Sequence, residues 1–319
     1  MRTMRVAVAA VESHGGAHRG IRLAGVDGAP LPAFDPGAHI DVLLPGGLVR
    51  QYSLANAPSQ RRYYEICVRR DGASRGGSAY LHDHLTLGET VEISLPRNHF
   101  RLDAAARYLL VAGGVGITPL LSMARDLDER GTPFILHCYG RSESDVPYLR
   151  TLREGFDHGE VVLHFSAAGD SLRGAVPAQF HTPSADALIY TCGPRGFMDQ
   201  VDAAALEHGW QASQIRREAF DAAPSNVRHV NDAFEVELAS SGRVFVIPPD
   251  QTIAAVLQAA RIPVSLSCEQ GLCGSCLTDI KAGQADHRDE VQSDEEKRSH
   301  RQIALCCSRA VTSRLVLDL

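Results

Sequence analysis

The chain has 319 residues, of which 44% are hydrophobic and 22% are charged, and it carries a net charge of −6. This length allows two or three domains of ordinary globular composition. The negative charge argues against nucleic acid or an anionic membrane as a partner, and no stretch approaches the about 18 consecutive apolar residues of a transmembrane helix.

The eight cysteines do not form a pattern typical of a disulfide framework. Four of them fall in one C-terminal motif, and Cys307 adjoins one of these four. Cys67, Cys138 and Cys192 lie in or at the end of strand-like segments. Free thiols of this kind are typical of a reducing compartment, and we expect a cytoplasmic protein.

Residues 1–103 consist of short alternating apolar and polar segments interrupted by glycine and proline, which predicts a β-barrel or a β-sandwich. Two segments carry groups suited to a phosphate and a planar ring, because arginine grips phosphate and tyrosine covers rings. Each segment alone fits an ordinary strand or turn, so they gain weight only in combination. The candidates are Arg50, Tyr52 and Ser53, and, in a turn that follows Arg75 and opens a short helix, Gly76, Gly77 and Ser78.

From residue 104 to 226, continuous apolar strands alternate with helices, which predicts a parallel α/β domain. Its first strand, 108–112, leads into a glycine-rich turn that opens a helix. Glycines there let a pyrophosphate approach the free N–H groups of a helix N-terminus, although a tight turn without a ligand is the alternative. The candidates are Gly113, Gly114 and Gly116, with Thr118 as the helix cap and Pro119 at the first helical position.

A second turn follows another apolar strand of this domain, at 187–191. Cys192, Gly193 and Pro194 form this turn, and a helix over about 196–208 comes next. Parallel α/β sheets bind ligands outside the carboxyl ends of their strands, so Cys192 falls at the expected crevice. A buried cysteine before a turn is the alternative. Residues 221–226 are typical of a linker.

The last domain, 227–319, contains two predicted strands, a helix and then a cysteine-rich loop. Three cysteines at C-x4-C-x2-C with a fourth downstream have the plant-type spacing for a [2Fe–2S] cluster. Gly271 and Gly274 allow the positive φ and the close approach that such a loop needs. A zinc site or buried free thiols are the alternatives, and Cys307 competes with its neighbour as the fourth ligand. The preferred ligands are Cys268, Cys273, Cys276 and Cys306.

Together these motifs resemble the phthalate dioxygenase reductase family, the reductases of two-component Rieske oxygenases, and within it the vanillate O-demethylase reductases. The resemblance covers essentially the whole chain. It implies a multidomain α+β protein, with an antiparallel FMN-binding β-barrel over 1–103, a parallel α/β NAD-binding domain over 104–226 and a β-grasp plant-type ferredoxin over 227–319. The family's motifs R-x-Y-S, G-G-S, G-G-x-G-I-T-P and C-G-P match the candidates above.

The resemblance also implies roles for three residues. Thr118 is expected near the flavin ring, and Cys192 is expected beside the nicotinamide. The segment Glu218-Ala219-Phe220 looks like the E-x-F ending of the family's second domain. Phe220 would cover the flavin until the nicotinamide ring displaces it.

The implied function is that of an NADH-dependent oxidoreductase. NADH gives FMN two electrons as a hydride, and the [2Fe–2S] cluster takes them one at a time. Asp170 follows the strand 161–165 and disfavours the 2′-phosphate of NADPH, whereas Arg141 and Arg173 keep NADPH open. The resemblance implies FMN rather than FAD, because family members of this domain order usually hold FMN, and the phosphate turn without a recognisable adenine-binding extension agrees with this.

Electrons must leave for another protein, since the chain lacks a Rieske motif and the histidine pair of a mononuclear iron site. We expect a terminal oxygenase as the acceptor, a Rieske-type aromatic oxygenase or O-demethylase, and a monomeric reductase. Acidic residues after the cluster loop are candidates for a docking face, although a solvated loop explains them equally well. They are Asp286, Asp289, Glu290, Asp294, Glu295 and Glu296.

Two alternative functions stay open. The same electron path serves other acceptors, such as a cytochrome P450. A non-catalytic flavin and iron–sulfur carrier or redox sensor is the second alternative, and a complete nicotinamide domain argues against it.

Overall fold

The computed structural model describes residues 2–72, 76–220 and 231–319. The chain divides into two compact units, residues 1–220 (unit 1) and 221–319 (unit 2). The predicted linker at 221–226 and Arg75 lie outside the described residues. The predicted domain boundaries at 103 and 226 stay predictions.

The first part of unit 1 is a nearly closed antiparallel barrel, as predicted. Alternate residues of its strands face the core, for example Val6 and Val8, because successive side chains of a strand point to opposite faces. Its elements are β1 (Thr3–Ser13), β2 (His18–Gly25), β3 (His39–Leu44), β4 (Leu48–Ser53), β5 (Tyr63–Arg69), α1 (Gly77–Asp83) and β6 (Thr90–Ser94). The strand order is β4-β3-β6-β1-β2-β5, and the edge strands β4 and β5 approach each other.

The second part of unit 1 is a five-stranded parallel sheet with helices, which confirms the predicted α/β architecture. Its elements are β7 (Arg107–Gly113), α2 (Ile117–Glu129), β8 (Phe134–Gly140), α3 (Leu149–Glu154), β9 (Gly159–Phe165), β10 (Ala187–Cys192), α4 (Arg195–Glu207) and β11 (Ile215–Glu218). The order is β11-β10-β7-β8-β9. Since β7 and β10 are parallel neighbours, the turns that follow them lie at the same edge of the sheet.

Unit 2 has a mixed five-stranded sheet and two short helices. Its elements are β12 (Phe234–Leu238), β13 (Val244–Ile247), α5 (Ile253–Ala259), β14 (Leu277–Ala282), β15 (Ala285–Asp286), α6 (Asp294–Ser299), β16 (Gln302–Ala304), β17 (Arg309–Ala310) and β18 (Arg314–Leu317). The order is β13-β12-β18-β14-β16, with β12 and β18 parallel. Thr252 caps α5, because its hydroxyl accepts a hydrogen bond from the Ala255 amide at 3.1 Å.

One buried arginine organises the start of unit 2. Arg309 is 5% exposed, and its guanidinium donates to the carbonyls of Asp232, Pro248 and Gln251 at 2.8–3.0 Å. It also lies 4.9 Å from the centre of the Phe234 ring. These contacts fasten the chain entering β12 to the interior of the unit.

The described helices are short, and none of them is long and apolar enough to cross a membrane.

Candidate functional site

Two turns meet at the carboxyl edge of the parallel sheet in unit 1. A Cβ atom placed on Gly116 would lie 2.2 Å from the Cys192 carbonyl oxygen and 2.6 Å from the Gly193 nitrogen. A Cβ atom on Gly193 would lie 2.9 Å from the Cα atom of Gly113. The glycines therefore let the turns that follow β7 and β10 pack backbone against backbone, which forms one crevice.

The start of α2 differs from the prediction made for Thr118. Residues 114–116 form a 3₁₀ turn, and α2 begins at Ile117 with Gly116 in the capping position. The Thr118 hydroxyl donates to the Val115 carbonyl at 3.1 Å, so the prediction that Thr118 caps the helix is wrong. Pro119 occupies the third helical position rather than the first, where it is tolerated because the first-turn N–H groups have no intrahelical partner.

The two candidate segments of the barrel lie next to each other. Arg50, Tyr52 and Ser53 lie on β4, and α1 begins at Gly77. A Cβ atom on Gly77 would lie 2.6 Å from Arg50 Cγ and Nε, so the arginine side chain runs along the start of α1. The structure thus brings together an arginine and a helix N-terminus that the sequence separates, which is the combination a phosphate needs.

Within this cluster, Tyr52 and Ser78 have distinct environments. Burial raises the pKa of the Tyr52 phenol well above its usual range, so the hydroxyl stays neutral. The Ser78 hydroxyl accepts a hydrogen bond from the Asp71 amide at 3.2 Å and is 9% exposed. A serine hydroxyl can also donate its proton and accept a second bond, so this group is chemically suited to a phosphate ligand.

Glu218 joins the barrel segment to the crevice, a role that was not expected from the sequence. Its carboxylate lies 3.5 Å from the Ser53 hydroxyl, and it pairs in register with Cys192 on the neighbouring strand. Burial raises the pKa of Glu218 to about 8, with the Ser53 hydroxyl opposing the shift. Its position at the end of a strand beside Cys192 is the signal that identifies it. Phe220, two residues further on, is 36% exposed.

The Cys192 thiol is fully buried at the same edge. Burial raises its pKa well above the usual range, and the nearby Glu218 carboxyl adds to this shift. A neutral, inert thiol at this position is a small apolar wall rather than a nucleophile.

A polar network lies at the end of β9, beyond the crevice. Asp170 contacts His164 Nδ1 through both carboxylate oxygens at 2.9 and 3.0 Å. The His164 ring stacks on Tyr139 with 4.2 Å between centroids, and the Tyr139 ring packs against Phe197 beside Gly113. The carboxylate that the sequence analysis linked to nucleotide choice is therefore held in place by a histidine.

In unit 2 the four predicted ligand cysteines gather as two pairs. The pairing of Leu277 with Ala304 between β14 and β16 brings Cys276 within 3.3 Å of Cys306, sulfur to sulfur. Cys268 and Cys273 form the second pair, in which the Cys268 backbone N–H donates to Cys273 Sγ at 3.5 Å. In a [2Fe–2S] cluster with four thiolate ligands, each tetrahedral iron takes two of them, so two pairs fit this cluster.

The cluster loop aims polar groups at its sulfur atoms. The amides of Gln270 and Leu272 each donate to Cys268 Sγ at 3.4 Å, and the Cys268 amide donates to Cys273 Sγ at 3.5 Å. Hydrogen bonds from Cys268, with a further contribution from Ser275, lower the pKa of Cys273 below its usual range. Gly271 and Gly274 have φ of 79° and 68°, as predicted for a loop of this curvature.

The sulfur arrangement differs from that of a single-ion site. In the part of the chain that the structure describes, no three His, Cys, Asp or Glu side chains converge as the ligands of one ion would. Cys306 is buried and paired with Cys276, whereas the partly exposed Cys307 thiol lies within reach of Gly271 and the Ser308 hydroxyl. This geometry favours Cys306 as the fourth sulfur.

The acidic group after the cluster loop is only partly a surface. Asp289 is 2% exposed, and Asp286 forms an ion pair with Arg288 at 2.6 Å. The expectation that all six acidic residues lie on one face is therefore wrong for Asp289, whose carboxylate turns inward. Glu290, Asp294, Glu295 and Glu296 are exposed.

A nearly closed antiparallel barrel, a parallel sheet with a glycine-lined crevice and a unit with four paired cysteines define an iron–sulfur flavoprotein reductase of modular type. Comparison with known proteins agrees. Residues 236–311 match the 2Fe-2S iron-sulfur cluster binding domain family. The chain is 45% identical over 294 residues to a vanillate O-demethylase oxidoreductase of Pseudomonas sp. (strain HR199 / DSM 7063), with 92% of each chain covered.

Solved structures give the same assignment. Phthalate dioxygenase reductase is 39% identical, with a TM-score of 0.74 and 99% and 98% of the two chains covered. An intact type IV self-sufficient cytochrome P450 monooxygenase is 33% identical, with a TM-score of 0.87 over 99% of this chain and 41% of the monooxygenase. The chain belongs to the phthalate dioxygenase reductase family, and vanillate O-demethylase reductases are among its similar members. It is an oxidoreductase with a [2Fe–2S] domain and a flavin- and pyridine-nucleotide-binding fold, as the sequence predicts.

Proposed function

We propose that this protein takes a hydride from NADH onto FMN and passes single electrons through its [2Fe–2S] cluster to a separate terminal oxygenase, a Rieske-type aromatic oxygenase or O-demethylase. The observation that carries the proposal is the crevice of unit 1. The Gly113–Gly116 turn packs there on Cys192 and Gly193, and the contact between Ser53 and Glu218 links the barrel to it. Such an edge is where open α/β sheets bind nucleotides.

The barrel residues hold the flavin. When bound, the flavin accepts two electrons as a hydride, and the cluster accepts one electron in each step. Arg50 and the N–H groups at the start of α1 bind the terminal phosphate, together with the Ser78 hydroxyl. Tyr52 would cover the ring, and Ser53 and Thr118 would supply hydroxyl groups to its polar edge. The residues assigned to the flavin are Arg50, Tyr52, Ser53, Gly76, Gly77, Ser78 and Thr118.

The crevice residues orient the nicotinamide. Gly113, Gly114, Gly116 and Pro119 form the turn that admits the pyrophosphate, and Cys192, Gly193 and Pro194 form the opposite wall. The buried, neutral thiol of Cys192 excludes water beside the nicotinamide without reacting with it. Phe220 covers the flavin ring in the absence of nucleotide, and its partial exposure is consistent with a side chain that moves.

NADH is the proposed donor because Asp170, fixed by His164, places a negative charge where a 2′-phosphate would lie. FMN is the proposed flavin because the Arg50 cluster serves a terminal phosphate directly. Cys268, Cys273, Cys276 and Cys306 are the proposed cluster ligands, with Cys307 outside the set. We also propose a cytoplasmic monomer, in line with transient docking and with eight cysteines of which none forms a disulfide.

A cytochrome P450 is the second candidate acceptor. It is supported by the self-sufficient monooxygenase, which carries a segment similar to this chain. A Rieske-type oxygenase is preferred because the vanillate O-demethylase relative matches this chain over nearly its whole length. If the exposed acidic residues of α6 steer a basic partner, reduction of that partner slows as ionic strength rises. Rates that are flat with salt would exclude steering by this face.

The test is an anaerobic titration of the purified protein with NADH, followed by visible absorption and low-temperature EPR. Flavin bleaching together with a rhombic reduced [2Fe–2S] signal supports the electron path. Bleaching without the EPR signal refutes the cluster assignment or its connection to the flavin. A response to NADPH but not to NADH refutes only the proposal that NADH is the electron donor. Release of the flavin by denaturation, with chromatography against FMN and FAD standards, tests the flavin.

A further inference from the structure

Unit 2 contains a buried carboxylate, Asp289, which turns inward and so takes no part in the acidic face. It is 2% exposed. Its Oδ2 atom accepts a hydrogen bond from the backbone N–H of Gln292 at 3.0 Å. Its Oδ1 atom accepts hydrogen bonds from the side-chain Nε2 of Gln292 at 3.2 Å and from the Ser308 hydroxyl at 3.4 Å. All three partners are donors, which is the environment of an ionised carboxylate. A buried charge is costly unless it is bonded in this way, so the site is built around it.

Asp289 touches both segments that carry the cluster ligands. A Cβ atom on Gly271, inside the first cysteine loop, would lie 3.0 Å from Asp289 Cα. The next residue, Glu290, donates its amide to the Gly271 carbonyl at 3.0 Å. On the other side, Ser308 lies two residues after Cys306, and its hydroxyl also accepts from the Arg288 amide at 3.0 Å. The segment 288–290 therefore bridges the loop of the first three ligands and the loop of the fourth.

Two histidines, His287 and His300, contact each other beside this bridge, and His287 also contacts Gln292. The rings of His287 and His300 stack with 5.2 Å between centroids, and their nitrogens Nε2 and Nδ1 are 3.3 Å apart. His300 Nδ1 also accepts a hydrogen bond from the backbone N–H of Ala285. It is therefore the acceptor in the contact between the two rings, and His287 Nε2 is the donor. His287 Nδ1 lies 3.4 Å from Gln292 Nε2 and 3.7 Å from Asp289 Oδ1, so the imidazole contacts both the carboxylate and the side-chain amide that bonds it.

We propose that Asp289 is a positioning residue of the iron–sulfur site, which fixes the Cys306 loop against the Gly271 loop and lowers the reduction potential of the cluster with its charge. The inference rests on the proposed ligand set. Adding an electron to an already anionic centre is harder beside a negative charge, and burial weakens the screening of that charge by water. Groups that hold metal ligands from outside tune metal centres in this way.

The test compares three variants of the full-length holoprotein. Asp289→Asn removes the charge and keeps the size of the side chain. Asp279→Asn is the matched control, because Asp279 is an exposed residue of β14, three positions after Cys276, and the substitution changes the net charge equally. Ser308→Ala removes one bond to Asp289 without changing any charge. Each is titrated with dithionite and redox mediators under EPR, which needs neither NADH nor the partner.

We expect Asp289→Asn to raise the equilibrium constant for one-electron reduction about tenfold, which is ~59 mV, and Asp279→Asn to change it less than about twofold. We expect Ser308→Ala to accelerate cluster loss to a chelator several-fold at a nearly unchanged potential. An unchanged potential in Asp289→Asn, or equal shifts in both asparagine variants, overturns the inference. If Asp289→Asn does not assemble a cluster, the test rests on the rate at which Ser308→Ala loses its cluster to the chelator. A rate equal to that of the wild type overturns the inference. Absence of the EPR signal in the wild type refutes the ligand set instead.

Discussion

A single methyl group added at Gly116 tests the contact between the two turns of the crevice. Gly116 has a φ of −61°, which alanine adopts without strain, so Gly116→Ala changes only the space between the turns. The new Cβ atom would lie 2.2 Å from the Cys192 carbonyl oxygen and 2.4 Å from its carbon. Ordinary contacts need about 3.5 Å, so the backbones must separate by about 1 Å.

The expected cost follows from that displacement. Overpacking of this kind costs about 1–3 kcal/mol of unfolding free energy, and a misplacement of about 1 Å costs up to about 100-fold in rate. We therefore expect Gly116→Ala to lower kcat/KM for NADH-dependent flavin reduction by about 10- to 100-fold, measured by anaerobic stopped flow. Dithionite reduction of the cluster in unit 2 should stay unchanged.

Gly196→Ala is the matched control. Gly196 lies in α4, near the same turn, and a Cβ atom there meets nothing within 4 Å. Alanine is a better helix former than glycine by up to about 1 kcal/mol, so this variant should be as active as the wild type and slightly more stable in urea. Wild-type kinetics and stability in Gly116→Ala would refute the proposed close packing of the turns.

Three further predictions follow from buried groups. Cys306→Ser should abolish the rhombic EPR signal, whereas Cys307→Ser should retain it. The reverse result would show that the fourth ligand is Cys307 and not Cys306. Arg309→Met should destabilise unit 2 by about 2–4 kcal/mol in urea, because three carbonyls lose the hydrogen bonds of a buried guanidinium, whereas a loss below about 0.5 kcal/mol would contradict the role given to Arg309. The raised pKa of Glu218, about 8 against 4.5, means that the folded state binds the extra proton between these pH values, so stability falls as pH rises through this window. In the flavin-free protein, wild type should lose at least about 1 kcal/mol relative to Glu218→Gln between pH 4.5 and 8 in urea unfolding, and parallel pH profiles would contradict this pKa.

The sequence predicts the fold well where the apolar pattern of a segment and the glycines at its end determine the local structure. The apolar strand 108–112 and the glycine turn after it specify β7 and its turn, because a buried parallel strand reads as a continuous apolar segment. The prediction for Thr118 is wrong because it assumed that the helix begins directly after the last glycine. Instead a 3₁₀ turn places Gly116 at the cap, and Thr118 bonds backward to Val115.

The site is predictable only as separate segments, since nothing local states which segments meet. Arg50 and Gly77 are 27 positions apart, and their contact depends on how the barrel closes. The same limit explains Asp289. Among six acidic residues it is the one turned inward, and no local pattern separates it from Asp286 or Glu290. Only the pairing of β14 with β16, which brings Cys276 to Cys306, and the approach of Gly271 place a carboxylate between two ligand loops.

The environment of Asp289 differs from that of Glu218, the buried carboxyl group of unit 1. The carboxyl beside the crevice, Glu218, is buried with one weak hydroxyl contact at 3.5 Å, and its pKa rises, so it is neutral over most of the physiological range. The carboxylate of Asp289 is also buried, but it accepts three hydrogen bonds. An uncharged group therefore lies where anionic cofactors must enter. A charged group lies where a fixed field sets the energy of a transferred electron.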